Sequence, residues 1–479
     1  MECWIKQAKL HYSKIQQSSN PMIQQSTNPF NDAKLPHLGM VTNSAAMQPI
    51  LAENFRGALE KLNAHIENCA IERIQYRRNR RCRLLYRLNL KDGSGKKFDQ
   101  WFFGKLLREG QAQRQYEEAL AAGNLQNGVW QPVALLPEFE MVIYTFPNDP
   151  DMPGLVKAAD PSFAQAQIET NLSAFGLPEG WQCEQINFAR VKYMPGKRCV
   201  LRYNARLQNR FGENREVSFY SKTYCDGMSR FHYQILQQAH ARLSNAINIP
   251  RPLLHVGEAN TLWQEPWEGR PLIDNLDQAD WEELFPRLAA GVASFHRSQC
   301  EGLPPVDTLE RAFDSAQEDA QMLGWLLPAQ RLRFNNILLN FSAAKERLGE
   351  LPGPLVPIHG AIRIEQFVAR ERELALVDFD AAALGDPLYD VAEFLTSLQY
   401  LEFTAGFSRE SLVRAADLFR TSYQKQVLWK LAPSRLAYYA ISALLSKMHD
   451  TMKNLDVNAM QKFDEILEIL EKWSDGLLD

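Results

Sequence analysis

The side chains best placed to do chemistry gather in one stretch, Ile358–Leu395, which reads IHGAIRIEQFVARERELALVDFDAAALGDPLYDVAEFL. His359-Gly360-Ala361 is followed after four residues by Gln366. An apolar run, Leu374–Val377, then ends in Asp378, with Asp380 two residues on, and Gly385-Asp386-Pro387 leads to Asp390. Each piece alone is weak. A carboxylate at a strand end is often only a turn residue, and Asp386 before a proline suits a helix cap that satisfies free backbone N–H groups. Asp390 reads as structural in the same way, and His359 as a buried orienting histidine bonded to backbone. What distinguishes the stretch is that all these pieces stand together in order.

The elements that must position them fall into a repeat and a helical part. Tyr76-RRNRRCRLLY and Tyr193-MPGKRCVLRY match at one offset, 193 − 76 = 117, and the same offset carries Phe102 to Phe219, Lys105 to Lys222 and Tyr116 to Tyr233. Each copy reads as helix, strand, tight turn, long strand, lysine-bearing strand, helix and one or two further strands. Pro147, Pro150, Pro153 and Gly154 mark a linker between copies. Beyond residue 271 the pattern turns helical, with Leu284, Leu288, Val292 and Phe295 on one face and Phe463, Ile466, Leu467 and Leu470 on another. The expected divisions are a low-complexity disordered tail over 1–46, a first small lobe over 47–155, a second over 156–270, and a helical large lobe over 271–479. The tail holds the tandem IQQSSNP/IQQSTNP, and Met40 or Met47 is a candidate start.

With 45% apolar and 23% charged residues and a formal charge of −4, the chain has the make-up of an ordinary globular protein and no general affinity for nucleic acid. No apolar run approaches the length needed to span a bilayer. Seven scattered cysteines without a Cys-x-x-Cys pair give neither a zinc site nor a disulfide framework, which points to a reducing cytoplasm. The arginines between Arg73 and Arg87 read first as a solvated strand face. Residues 271–330 hold eleven acids against three arginines, a net of −8, a field that would suit a cationic ligand and that exposed helix faces also produce.

The block at 358–395 resembles the aminoglycoside phosphotransferase/choline kinase family, whose members show His-Gly-Asp, four residues, Asn, and later an apolar strand ending in Asp before Gly-Asp-Pro-x-x-Asp. The resemblance extends over about residues 180–470. It implies an α+β, bilobal protein kinase-like fold with a mixed small β-sheet lobe and a helical C-terminal lobe, here with an extra N-terminal copy of the small lobe. It also implies ATP and magnesium as cofactors. Asp378 and Gln366, the latter standing where the family has Asn, would hold the metal through oxygen. Asp380 is either a second metal contact or a turn residue. Lys222 would grip the α- and β-phosphates, or else snorkel from an edge strand. Lys197 and Arg198, in a turn with a single glycine, could reach phosphate oxygens, and Gln264 and Glu265 fall at the hinge that would meet adenine.

Two departures are plain. Ala361 occupies the position of the family's catalytic base, so no catalytic residue is assigned, and the helix after Lys222, RFHYQILQQAHARL, carries no acid to pair with it. The reading is therefore ATP-dependent phosphate transfer to a small-molecule hydroxyl, crippled by Ala361, with a nucleotide-binding pseudokinase or scaffold as the alternative. The identity of the acceptor and the oligomeric state are not set by the sequence.

Overall fold

The computed structural model describes residues 32–77, 79–243, 246–349, 353–454 and 460–477, so the tandem at 15–29 lies outside the described residues. Chain packing divides these residues into two compact units, one of 32–233 with 253–266 and one of 234–252 with 267–477.

The first unit contains two five-stranded sheets with the same strand order. Strands β1 (Ala64–Arg77), β2 (Arg81–Asp92), β3 (Lys97–Leu106), β4 (Val133–Leu136) and β5 (Met141–Thr145) lie in the order β1-β2-β3-β5-β4. Strands β6 (Trp181–Met194), β7 (Arg198–Asn209), β8 (Asn214–Tyr224), β9 (Pro252–Val256) and β10 (Thr261–Gln264) lie in the order β6-β7-β8-β10-β9. The small sheets, expected as mixed, are antiparallel in every pairing whose register is described. Even a bulge recurs at the 117-residue offset, between Ile66 and Asn68 in β1 and between Cys183 and Gln185 in β6.

The strands alternate, and each face of a sheet finds a partner. One face of the first sheet (Leu84, Tyr86, Leu88, Phe102, Ile143) packs on Leu35, Leu38, Val41, Met47 and Leu51. Its other face (Leu85, Phe103, Val142, Tyr144) shares a core with Met152, Leu155, Ala164 and Ile168 and with Leu201, Tyr203 and Phe219 of the second sheet. Each of these large side chains is worth about 1.5–3 kcal/mol when fully buried.

These contacts correct the expected boundaries. Residues 32–46 are not a disordered tail, because Leu35, Leu38 and Val41 are fully buried. The repeat begins at Asp32 and Asp149, again 117 apart, rather than at 47 and 156. Asp32 Oδ2 accepts from Tyr76 Oη at 2.6 Å and from the Asn79 N–H at 2.8 Å. Asp149 Oδ2 accepts from Tyr193 Oη and from the Gly196 N–H, both at 2.8 Å. Asn79 and Gly196 both have positive φ, 55° and 65°, so in each copy a buried carboxylate clamps the tight turn between the first two strands. Tyr86 donates to the Val41 carbonyl and Tyr203 to the Ala158 carbonyl, both at 2.6 Å, which ties the same opening segment down a second time. Asn43 and Asp160 cap helices α1 (Ser44–Asn54) and, after α2 (Ala112–Ala121), α3 (Pro161–Thr170) at the same offset. What reads as a linker at 147–154 is thus the start of the second copy.

The copies are also joined by charge. Arg83 reaches Asp151 at 2.6 Å and Lys105 reaches it at 3.8 Å. Arg190 pairs with Glu72 at 2.8 Å and lies 3.9 Å from the centroid of the Trp101 ring. Arg87 pairs with the same glutamate at 3.4 Å, so the basic strand is partly neutralised within the fold.

Helix α4 (Ser229–Leu243) follows β8 in the chain. The helical unit holds α5 (Trp281–His296), α6 (Thr308–Leu326), α7 (Arg331–Gly349), α8 (Pro387–Gln399), α9 (Arg409–Gln424), α10 (Pro433–Asn454) and α11 (Phe463–Asp475). Phe341 of α7 stacks on Tyr438 of α10 at 3.9 Å, over a core that includes Ile466, Leu467 and Leu470 of α11. Between α7 and α8 run β12 (Val356–Ile358), the hairpin β13 (Phe367–Arg370)/β14 (Glu373–Leu376), and β15 (Ala383–Gly385). Strand β11 (Arg270–Pro271) edges the hairpin and β15 pairs with β12. Among the described residues no helix is long and apolar enough to cross a membrane. Cys69, Cys82, Cys183, Cys199 and Cys300 are buried free thiols and Cys225 is an exposed one.

Each turn clamp rests on a buried carboxylate oxygen, whose loss strands a backbone N–H. Asp32→Ala and Asp149→Ala are each expected to cost about 2–4 kcal/mol in urea unfolding. A chain begun at Met47, which lacks Asp32, Leu35, Leu38 and Val41, is expected to lose still more. An unchanged midpoint in these variants would contradict the boundary at Asp32.

Candidate functional site

The His359-Gly360-Ala361 loop leaves β12 and is held by one carboxylate. Asp390, fully buried in the first turn of α8, accepts from the His359 N–H at 2.6 Å, from the Gly360 N–H at 2.8 Å and from His296 Nε2 at 3.1 Å. Burial alone would raise the Asp390 pKa, but these hydrogen bonds and the two neighbouring imidazoles hold it below the usual carboxylate range. Gly360 has φ 75°, and a Cβ there would stand 2.3 Å from the Ala381 carbonyl oxygen, so only glycine fits the turn. Arg311 of α6 donates to the Gly360 carbonyl at 3.2 Å. Asp386 immediately precedes α8. It caps α8 through the Leu388 N–H and binds Arg435 at 2.7 Å and the Tyr439 hydroxyl at 3.2 Å.

His359 is buried, and burial pushes its pKa down against the pull of Asp390 and Asp378. The ring is therefore neutral, with the proton on Nε2 to serve the Val377 carbonyl 3.2 Å away. That bond ties the loop to the strand end where Asp378 sits.

Gln366 and Asp378 are brought together by the β13–β14 hairpin. Phe367 pairs with Leu376, and the Val377 N–H donates to the Gln366 carbonyl at 3.0 Å, so Asp378 follows directly on the cross-strand neighbour of Gln366. Asp378 itself has φ 74°, the left-handed region that costs a non-glycine residue energy and that recurs at functional sites. Asp380 follows in a short 3-10 turn, Phe379–Ala381. A carboxylate and an amide oxygen on adjoining backbone suit a hard cation that takes its remaining ligands from phosphate and water. Among the described residues no cluster of three or more His, Cys, Asp or Glu side chains forms a self-sufficient metal cage.

Three further charged groups, Arg363, Asp274 and Glu365, lie close to this hairpin. The Arg363 guanidinium lies under the loop, 3.4 Å from Glu393. Its burial is outweighed by Glu393, Glu365, Asp450 and Asp378, which together raise its pKa. The 3-10 segment Leu272–Gln278 packs beside Ile364–Gln366. Both Asp274 carboxylate oxygens and Glu365 Oε2 are buried without a hydrogen-bond partner among the described residues. Other acids of the 271–330 field are engaged: Asp280 and Asp307 cap α5 and α6, Glu310 pairs with Lys345, and Asp319 binds His449 at 2.5 Å. Much of that field is therefore structural, whereas Asp274 is buried without a hydrogen-bond partner among the described residues.

The remaining candidates lie in the sheet unit. Lys222 is buried on β8 between Val200 and Leu262 on the flanking strands. Lys197 is exposed and Arg198 half-buried in the turn held by Asp149. Gln264 ends β10 opposite Tyr220, and Glu265 follows it. In the first copy Lys105, buried at the position matching Lys222, has its pKa lowered by desolvation while Asp151 opposes the shift. That lysine is occupied by a residue of its own fold.

Two outcomes test the loop. Gly360→Ala is expected to destabilise the protein by about 1–3 kcal/mol, because the clash is with backbone. The lowered His359 pKa means that the unfolded chain takes up a proton near pH 6.5 that the folded chain refuses. Stability should therefore fall as pH drops below that value, and the slope of unfolding free energy between pH 7 and 5 should shrink in His359→Asn. An unchanged slope would contradict the neutral ring.

Residues 227–424 match the model of the phosphotransferase enzyme family, known by the short name APH. A search of curated proteins gave no match. Among solved structures, the chain resembles a spectinomycin phosphotransferase in complex with ADP and spectinomycin, at 10% identity and a TM-score of 0.43, over 66% of this chain and 99% of that one. A choline kinase from Cryptosporidium parvum Iowa II is similar at 11% identity and a TM-score of 0.43, over 66% and 96%. An amicoumacin kinase in complex with AMP-PNP and Ca2+ is similar at 13% identity and a TM-score of 0.42, over 64% and 94%. At such scores the weight rests on the family match, and the loop and hairpin just described lie inside it. The family whose model this chain matches, over residues 227–424, is the phosphotransferase enzyme family.

Proposed function

We propose that the chain binds ATP with a divalent cation and passes the terminal phosphate to the hydroxyl of a small molecule, slowly, because Ala361 cannot take the hydroxyl proton. The observation that carries this reading is the joint placement of Gln366 and Asp378 on one hairpin, tied through His359 to a loop that Asp390 holds. A bound magnesium ion would be held by Asp378 and Gln366 and would neutralise phosphate charge. Lys222 serves the α- and β-phosphates, Lys197 and Arg198 further phosphate oxygens, and the backbone at Gln264–Glu265 the adenine. In the transfer, the acceptor oxygen bonds to the terminal phosphorus, the bond to the bridging oxygen breaks, ADP leaves, and the hydroxyl proton goes to water.

Positioning and charge stabilisation dominate such reactions, and a general base adds about 10²–10⁴-fold. Turnover without the base is therefore reduced rather than forbidden. The unpartnered oxygens of Asp274 and Glu365 beside the loop favour an acceptor that carries positive charge. The cytoplasm is the proposed setting, in keeping with the free thiols.

A second reading, nucleotide binding without turnover, draws on Arg363, a half-buried cation paired with Glu393 whose charge, felt at Asp378, would oppose a metal ion there. ATP turnover in the presence of magnesium separates the two. The wild type should produce ADP slowly, Ala361→Asp should gain about 100-fold or more, and Asp378→Asn should fall to background. A wild-type rate equal to that of Ala361→Asp would overturn the assignment of the base position. Silence in both would favour binding without turnover.

A further inference from the structure

The first copy of the small lobe has no helical unit behind it, yet it retains a cavity of about 240 Å³. The cavity lies between helix α2 and the opening segment of the second copy, and is lined among others by Glu118, Leu125, Tyr144, Asp149, Asp151 and Val156. Three observations make it more than a packing gap.

The first is Tyr144. Its side chain is fully buried, and its hydroxyl has no hydrogen-bond partner among the described residues. An orphaned buried hydroxyl calls for a ligand, an ion or a water. Tyr144 shares the lining of the cavity with Glu118, Asp149 and Asp151.

The second is the state of those carboxylates. Arg83 and Lys105 both address Asp151 through Oδ2, and the Asp151 side chain keeps 34% of its exposure. Its Oδ1 accepts nothing from the described residues. Glu118 takes one bond from Arg114, to Oε1, and its Oε2 accepts nothing from the described residues. Asp149 is committed to Tyr193 and Gly196. Glu118, Asp151 and Tyr144 all line the cavity, whose charged side chains are all carboxylates, and no lysine, arginine or histidine is among the lining residues.

The third is the wall. Ala119, Ala122, Leu125, Val156 and two prolines give it an aliphatic body, and a water's share of liquid volume is about 30 Å³, so the space exceeds what a single water fills. A donor-rich cation with a short hydrocarbon stem matches both features.

We propose that this cavity is a binding site for a small aliphatic amine, with the ammonium group held by Glu118 Oε2, Asp151 Oδ1 and the Tyr144 hydroxyl. The site belongs wholly to the sheet unit and does not depend on the phosphotransfer reading.

The test uses the full chain and 1,4-diaminobutane as the probe, with 1,4-butanediol as its uncharged counterpart at matched ionic strength. The diamine should raise the melting temperature saturably, by about 3 °C at concentrations well above the dissociation constant, and the diol should not. Tyr144→Phe keeps the shape and removes only the orphan hydroxyl, so it should melt at or above the wild type. Its affinity for the diamine, and that of Glu118→Gln, should drop by about tenfold or more in titration calorimetry. Asp378→Asn should keep the full response. No shift, an equal shift with the diol, wild-type affinity in both cavity variants, or loss of the response in Asp378→Asn would each overturn the proposal.

Discussion

A buried carboxylate has to be paid in hydrogen bonds, and this fold satisfies that demand with the backbone of its tightest turns. Asp390 takes two consecutive N–H groups from the His359-Gly360 loop and an imidazole from α5. Asp149 and Asp32 do the same for the first turn of each small lobe. A buried carboxyl group so placed is tolerable only while its donors stay in position. Each turn is thereby fixed by a residue from another part of the chain, and the chemistry-bearing loops inherit that rigidity. The loop at 359–361 is one such turn, with alanine at its third position.

The duplication shows what the same scaffold does without a partner unit. Lys222 and Lys105 occupy matching strand positions, each buried. Lys105 is met by Asp151, a residue three positions into the opening segment of the second copy, and Arg83 shares that carboxylate. The first lobe has thus turned its lysine into a joint between repeats. Because the opening segment of one copy covers a face of the preceding sheet, the two lobes share one core, and the second copy is built on the first.

Much of this was legible in the sequence, and the misses have physical causes. The 117-residue offset was visible where strands repeat Arg, Cys, Leu and Tyr, because buried alternating strands constrain side chains on both faces. It was missed at Asp32–Val41 against Asp149–Ala158, where only Asp, Pro and Leu recur and the rest differ. A buried segment of one short turn carries no periodicity, so its polar surroundings made it look like a tail. In the large unit, the order of His359, Gln366, Asp378 and Asp390 could be read along the chain. Arg363 and Asp274 could not, since their meaning lies in which charges surround them after folding. The acid count over 271–330 left a cationic ligand and exposed helix faces both open for the same reason: most of those carboxylates are helix caps and ion pairs, and composition does not separate a cap from an open site.

The proposal under test is that Lys222 and the Asp378 carboxylate each contribute to the binding of ATP with a divalent cation. Titration of ATP with magnesium into the intact chain, followed by calorimetry, tests it most directly in the wild type, in Lys222→Ala and in Asp378→Asn. Saturable binding that each substitution weakens by about tenfold or more is the expected result. Wild-type affinity in either variant, or no binding to the unmodified chain, would contradict it.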